Sequence, residues 1–195
     1  MSDVITRFTR AVPDWRPRVT PVALDDLTEA QRAALQVTPS STKVSAYVLT
    51  LAHDVESLAV RSPLFNAIMY DPGGLGRADR EIGAIAASIV NRCIYCAAVH
   101  ADRHAQLAKE TETTDRLFAD GAGARLSDRH RALFDYAQAL SQTPPAAGPE
   151  HVAALRAVGL SDEEIVDLTL STALFGWANR LMHVLGDPVR KDGTR

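Results

Sequence analysis

"EIGAIAASIVNRCIYCAAVH", residues 81–100, holds two helical runs and both cysteines of the chain. The first run is apolar almost all round and rich in Gly and Ala, which predicts a buried helix packed closely against its neighbours. An Asn-Arg step separates it from a second run that opens on Cys93 and carries Cys96 and His100. At 100° per residue these three side chains fall within an arc of ~60°, so one face presents two thiols and an imidazole. Cys96 and His100 are one turn apart, where the imidazole polarises the thiol, while Cys93 sits at the helix start, where the dipole favours a thiolate. Which thiol is the more acidic is left open by these two effects. Glu81, in the first turn of an apolar helix, requires a partner or a purpose.

Helical signals dominate from Val44 onward: "VSAYVLTLAHDVESLAV", "ADREIGAIAASIV", "CIYCAAVHADRHAQLAKE", "SDRHRALFDYAQALS" and "SDEEIVDLTLSTALFGWANRLMHVLG". Breakers separate them at "SPLF", "DPGGLG", "DGAGA" and "TPPAAGP", and no stretch alternates as a strand would. The fold class is therefore all-α. Residues 1–43 are proline-rich and read as an extended arm with one short helix, "LTEAQRAAL", where Thr28 and Gln31 form a capping box. Residues 44–195 read as one helical domain.

That domain carries a degenerate internal repeat, with copies at about 44–110 and 126–186. The register that lays Glu164 over Glu81 also lays Gly159 over Gly76, Ser171 over Ser88 and His183 over His100. Cys93 and Cys96 fall on Gly176 and Asn179, which places the thiol chemistry in one copy only. Ser161 stands three residues before Glu164 and makes it a capping residue, whereas the equivalent Ala78 cannot cap, so a cap explains Glu81 less well.

Charged residues make up 23% and the net charge is −3, with basic residues scattered among acidic ones, so no stripe suits nucleic acid. The longest apolar run, Ile82 to Val90, is far short of the ~20 residues of a membrane span. "MSDVITRFTR" lacks the apolar stretch of a signal peptide, and a cytoplasmic location is expected. In that reducing setting a lone CxxC is catalytic or metal-binding more often than a structural staple. Zinc is the rival, through Cys93, Cys96, His100 and His104, but all four lie on one predicted helix and a tetrahedral ion needs convergent ligands. A thioredoxin-like module needs strands, and "HDVES" and "SDRH" lack the strand-turn-helix setting of a nucleophilic hydrolase.

The chain resembles the alkylhydroperoxidase D-like, or carboxymuconolactone decarboxylase-like, all-helical family. Its redox-active members carry a Glu, eleven residues, CxxC, three residues and a His, which is the register of Glu81, Cys93, Cys96 and His100. The likeness runs from about Val44 to Gly186, and "WANRLMHVLG" looks like the family's second half. Tyr95 stands where some members carry a second relay histidine. The resemblance implies a helical bundle and a thiol peroxidase in which Cys96 attacks a hydroperoxide and Cys93 closes a disulfide. His100, with Glu81 acting directly or through a water, takes the Cys96 proton and protonates the leaving oxygen. No metal, haem or flavin is implied. An external dithiol, a thioredoxin-like or lipoyl protein, reopens the disulfide, and the chain is expected to form a homo-oligomer whose arm wraps a neighbour. A redox sensor or assembly protein and a lyase on the same fold are the alternative functions.

Overall fold

In the computed structural model the described residues are 3–35, 39 and 43–191, so the parts of the arm at 1–2, 36–38 and 40–42 lie outside them. The all-α reading holds. Helix α1 (Glu29–Ala34) begins with the expected capping box: Thr28 Oγ1 accepts from Gln31 N at 3.2 Å and Gln31 Oε1 accepts from Thr28 N at 2.9 Å. The run 44–60, expected as one helix, is two. Helix α2 (Ala46–Leu51) ends before Asp54, whose carboxylate accepts from Ser57 N at 3.1 Å and starts α3 (Val55–Tyr70). The expected breaker "SPLF" lies inside α3, where Pro63 removes one ladder hydrogen bond and buried Leu58, Phe65 and Met69 hold the helix together.

The centre of the molecule is α4 (Arg77–Val90), buried at every residue from Arg80 to Ser88 and packed against α5 (Ile94–Ala108), α7 (Asp128–Leu140) and α9 (Asp162–Leu185). Gly83 sets the distance to α9: a Cβ there would stand 2.7 Å from Thr172 Oγ1 and 3.1 Å from Ser171 Oγ. Ile82, Ile85, Leu133, Phe134 and Leu168 form the main core, each contributing about 1.5–3 kcal/mol by its burial. Arg80, only 4% exposed, ties the loop before α4 by donating to the carbonyls of Ile68, Asp71 and Gly73 and to Asp167. Two further short helices, α6 (Glu112–Asp120) and α8 (Pro149–Ala157), complete the bundle.

One feature departs from the expectation of no strands. Strand β1 (Asp14–Pro17) pairs antiparallel with β2 (Gly186–Val189), with Asp14 opposite Val189 and Pro17 opposite Gly186. Over its described residues the arm thus lies on its own chain, and Phe8 stacks on Phe118 at 5.6 Å between centroids. No helix among the described residues is long and apolar enough to cross a membrane.

Candidate active site

Glu81 is the fifth residue of α4, beyond the reach of a cap, and is fully buried. Its carboxylate is held from two sides. Arg77, one turn earlier, donates to Oε1 from Nε at 3.0 Å and from Nη2 at 2.5 Å. His100 Nδ1 stands 2.5 Å from Oε2, and against a carboxylate that nitrogen carries the proton and donates it. Burial by itself pushes the Glu81 carboxyl up, but His100 and Arg77 together outweigh it and hold the group below its ordinary range. Glu81 is consequently an anion that orients His100, and the free ring nitrogen, Nε2, is the atom that can exchange protons. By contrast Glu164 is a cap: its carboxylate accepts from Ser161 N at 2.8 Å and Ser161 Oγ accepts from Glu164 N at 3.2 Å.

The second helix begins where expected. After α4, Arg92 adopts a left-handed φ of 54°, and Cys93, the N-cap of α5, donates its N–H to Ser88 O at 2.8 Å. That turn brings the two sulfurs to 2.9 Å, as free thiols in direct contact. Both residues are buried. The hydrogen bond from the Cys96 thiol lowers the Cys93 pKa, helped by the Cys96 backbone N–H at the helix end. The same hydrogen bond and burial raise Cys96 well above the thiol range. Cys93 is therefore the thiol of the pair that gives up its proton first.

This corrects the sequence reading at one point. Cys96 and His100 lie one turn apart, yet among the described residues they form no hydrogen bond. His100 Nδ1 is taken by Glu81, and the ring packs edge-on against Phe175 with centroids 4.0 Å apart. The two groups instead face one cavity of about 360 Å³, lined also by Tyr47, Arg61, Phe65 and Met69. Cys93 opens on the other side, into a cavity of about 340 Å³ bounded by Trp15, Arg92, Met182 and Pro188. Tyr95 borders both cavities, and its half-buried phenol, with a pKa above its ordinary value, keeps its proton where a relay histidine would exchange one. His104 takes no part: it is fully buried one turn further along α5, its ring 5.8 Å from that of His130. Among the described residues no three His, Cys, Asp or Glu side chains are arranged to hold a metal ion.

Several residues of the site were not legible as such. Arg77 has a signal in its i, i+4 spacing to Glu81. Asn179 has one too, since it occupies the register of Cys96 in the second copy. Its carboxamide hydrogen-bonds Ser88 at 3.1 Å and reaches both sulfurs. Helix α9 thus supplies a polar neighbour of the two thiols, while both thiols themselves stand on the α4–α5 side.

The carboxymuconolactone decarboxylase family matches residues 56–139. A peroxidase-related protein from Ralstonia eutropha JMP134, described as an alkylhydroperoxidase AhpD core, is similar over 93% of this chain and 95% of its own, with 27% identity and a TM-score of 0.75. A second peroxidase-related protein, from Silicibacter sp. TM1040, gives 25% identity and a TM-score of 0.64 over 71% of this chain and 72% of its own. The debrominase Bmp8, 18% identical with a TM-score of 0.73 over 90% and 92% of the two chains, shares the fold. None of the curated proteins compared matches the chain. The Glu81, Cys93, Cys96 and His100 register thus stands on the fold of the alkylhydroperoxidase D-like, carboxymuconolactone decarboxylase-like proteins, to which this chain is similar.

Proposed function

We propose that the protein is a thiol-dependent peroxidase that reduces organic hydroperoxides at Cys96 and Cys93. The supporting observation is the placement of the sulfurs: Cys96 opens into the cavity that His100 lines, and Cys93 lies behind it at contact distance. The proton held between the sulfurs passes to Cys93 as Cys96 attacks the terminal peroxide oxygen. The S–O bond forms, the O–O bond breaks, and the leaving alkoxide takes up, through His100 Nε2, the proton that Cys93 gave to solvent on ionising. Cys93 sulfur then attacks the Cys96 sulfenic acid, and its proton departs with the hydroxyl as water. One hydroperoxide and two thiols become one alcohol, one water and a disulfide. A dithiol from outside the protein, of the thioredoxin-like or lipoyl kind, restores the thiols through the Cys93 cavity. The cytoplasm, where such reductants are maintained, is the fitting location. Exposed Val166, Leu170, Trp177 and Val184 along α9 support self-association.

The test is rapid mixing of reduced protein with cumene hydroperoxide, followed by thiol titration. Two thiols should disappear per peroxide and return with turnover when a dithiol is supplied. Cys93→Ser should consume about one equivalent and stop at a trappable sulfenic acid on Cys96. Oxidation without turnover would favour a redox sensor, and undiminished activity on any substrate in Cys96→Ser would favour a lyase.

A further inference from the structure

The cavity beside Cys96 holds a cation without a counter-ion. Arg61 enters it from α3, its guanidinium carbon 3.9 Å from the Phe65 ring centroid and 5.8 Å from that of Tyr47. Stacking of this kind uses the face of the guanidinium and leaves the N–H donors on its edge unspent. Among the described residues Arg61 has no hydrogen bond or ion pair, and its Nε is buried without a partner. Its neighbours differ. Arg77 meets Glu81 and Arg80 meets Asp167. Glu81 forms no ion pair with Arg61; its oxygens are held by Arg77 and His100.

Tyr47 adds a second unmet donor at the same place. It is only 8% exposed, packs with Cys93, Cys96 and Met182, and its hydroxyl has no partner. Burial pushes its pKa upward, so the phenol is a protonated donor at neutral pH. A cation and a hydroxyl that are withdrawn from water without partners are both costly, and each is relieved by one anionic oxygen group. Phe65, Met69 and Phe175 form an apolar part of the remaining wall, and Asp102 and Arg103 line it beside the Arg77–Glu81–His100 group.

We propose that Arg61 and Tyr47 bind the carboxylate of the substrate, so that the protein acts on hydroperoxides of organic acids with an apolar body. The guanidinium edge offers a carboxylate two parallel N–H bonds and the phenol a third, while the body lies along the aromatic wall towards Cys96. The substrate class rests on the peroxidase reading; the carboxylate site does not.

Two measurements separate them. In the first, octanoate and 1-octanol are titrated calorimetrically into the reduced wild-type protein and into Arg61→Met, Arg61→Lys and Tyr47→Phe, each checked for native helicity. Octanoate should bind the wild type at least ~10-fold tighter than octanol, Arg61→Met should abolish the preference, and Tyr47→Phe should reduce it several-fold. Equal binding of the two ligands by the wild type overturns the proposal. In the second, a fatty-acid hydroperoxide and its methyl ester are compared in rapid mixing. The acid-to-ester ratio of rate constants should be well above one and fall towards one in Arg61→Met. A ratio that Arg61→Met leaves untouched, with both rates reduced alike, would assign Arg61 to the leaving oxygen and overturn the carboxylate. If neither peroxide reacts, the peroxidase reading falls and the octanoate titration alone decides the site.

Discussion

Glu81→Gln distinguishes a charge built into a site from a charge that caps a helix. Glu81 is fully buried and holds Arg77 on one oxygen and His100 on the other. Gln preserves the shape but offers an oxygen on one side and an N–H donor on the other. Either Arg77 loses its counter-ion or the His100 Nδ1–H meets a donor. Breaking a buried pair from one side costs about 3–5 kcal/mol, and the hydrogen bond that Gln retains restores about 1. The expected loss is therefore about 3 kcal/mol, or roughly 6–12 °C in Tm for a chain of this length. Glu164→Gln, whose oxygen still accepts from Ser161 N, should cost at most ~1 kcal/mol. Urea unfolding of the reduced proteins, followed by far-UV circular dichroism, measures both losses. The pH dependence gives a second check. Since the folded Glu81 carboxyl lies below its ordinary value of 4.5, its contribution is complete above that value and fades as pH falls through the folded one. The gap between wild type and Glu81→Gln should accordingly close in acid. Peroxide oxidation of the thiols should slow in Glu81→Gln and not in Glu164→Gln. Equal stability losses in the two variants, or a gap that persists in acid, would refute the reasoning.

Cys96→Ala should raise the Cys93 pKa, because the donor that lowers it is gone; thiolate absorbance against pH measures this, and an unchanged Cys93 would credit the helix end alone. Gly83→Ala should destabilise by about 1–3 kcal/mol in urea despite the better helix propensity of Ala, since its Cβ meets Thr172 Oγ1; a neutral result would mean that α4 and α9 can separate without cost. His104 is buried with its pKa lowered by desolvation, so the unfolded chain takes up its proton first and stability should fall as pH drops below the ordinary value of 6.5. His104→Gln should flatten the stability profile between about pH 7 and 5, and an unaltered slope would place that acid sensitivity elsewhere.

The legible part of the molecule is the part fixed by distance along one or two helices. Glu81, Cys93, Cys96 and His100 are set by helical spacing and one break, and the caps at Thr28 and Ser161 are local contacts. Where a feature depends on distant chain, the sequence is silent. "DWRP" and "GDPV" show no strand alternation, because their pairing comes from the two ends of the chain meeting beside Gly186, where the Trp15 ring leaves no room for a Cβ. "ETTDRLFAD" and "PEHVAALRA" form α6 and α8, helices too short and too polar to announce themselves by periodicity. Arg61 and Tyr47 sit in a run whose break at Asp54 is itself a cap, and only the packing of α2 and α3 across the cavity brings them towards Cys96.

The same reasoning explains why the second half of the chain matters to a site whose cysteines are all in the first. On the register that lays Glu164 over Glu81, Phe175 and Asn179 replace Arg92 and Cys96, and in sequence they mark only where thiols are missing. In space α9 is packed against α4 and meets α5, so those positions face the break between the two helices. Phe175 then fixes the His100 ring, Asn179 joins Ser88 beside the sulfurs, and Met182 closes the apolar cluster around Cys93 and Cys96. Helix α9 runs unbroken where α4 and α5 are interrupted, because it has no thiol to place at a helix end. The interruption turns Cys93 towards one cavity and Cys96 towards the other while their sulfurs stay in contact, and an unbroken α9 is the rigid wall that keeps that division in place.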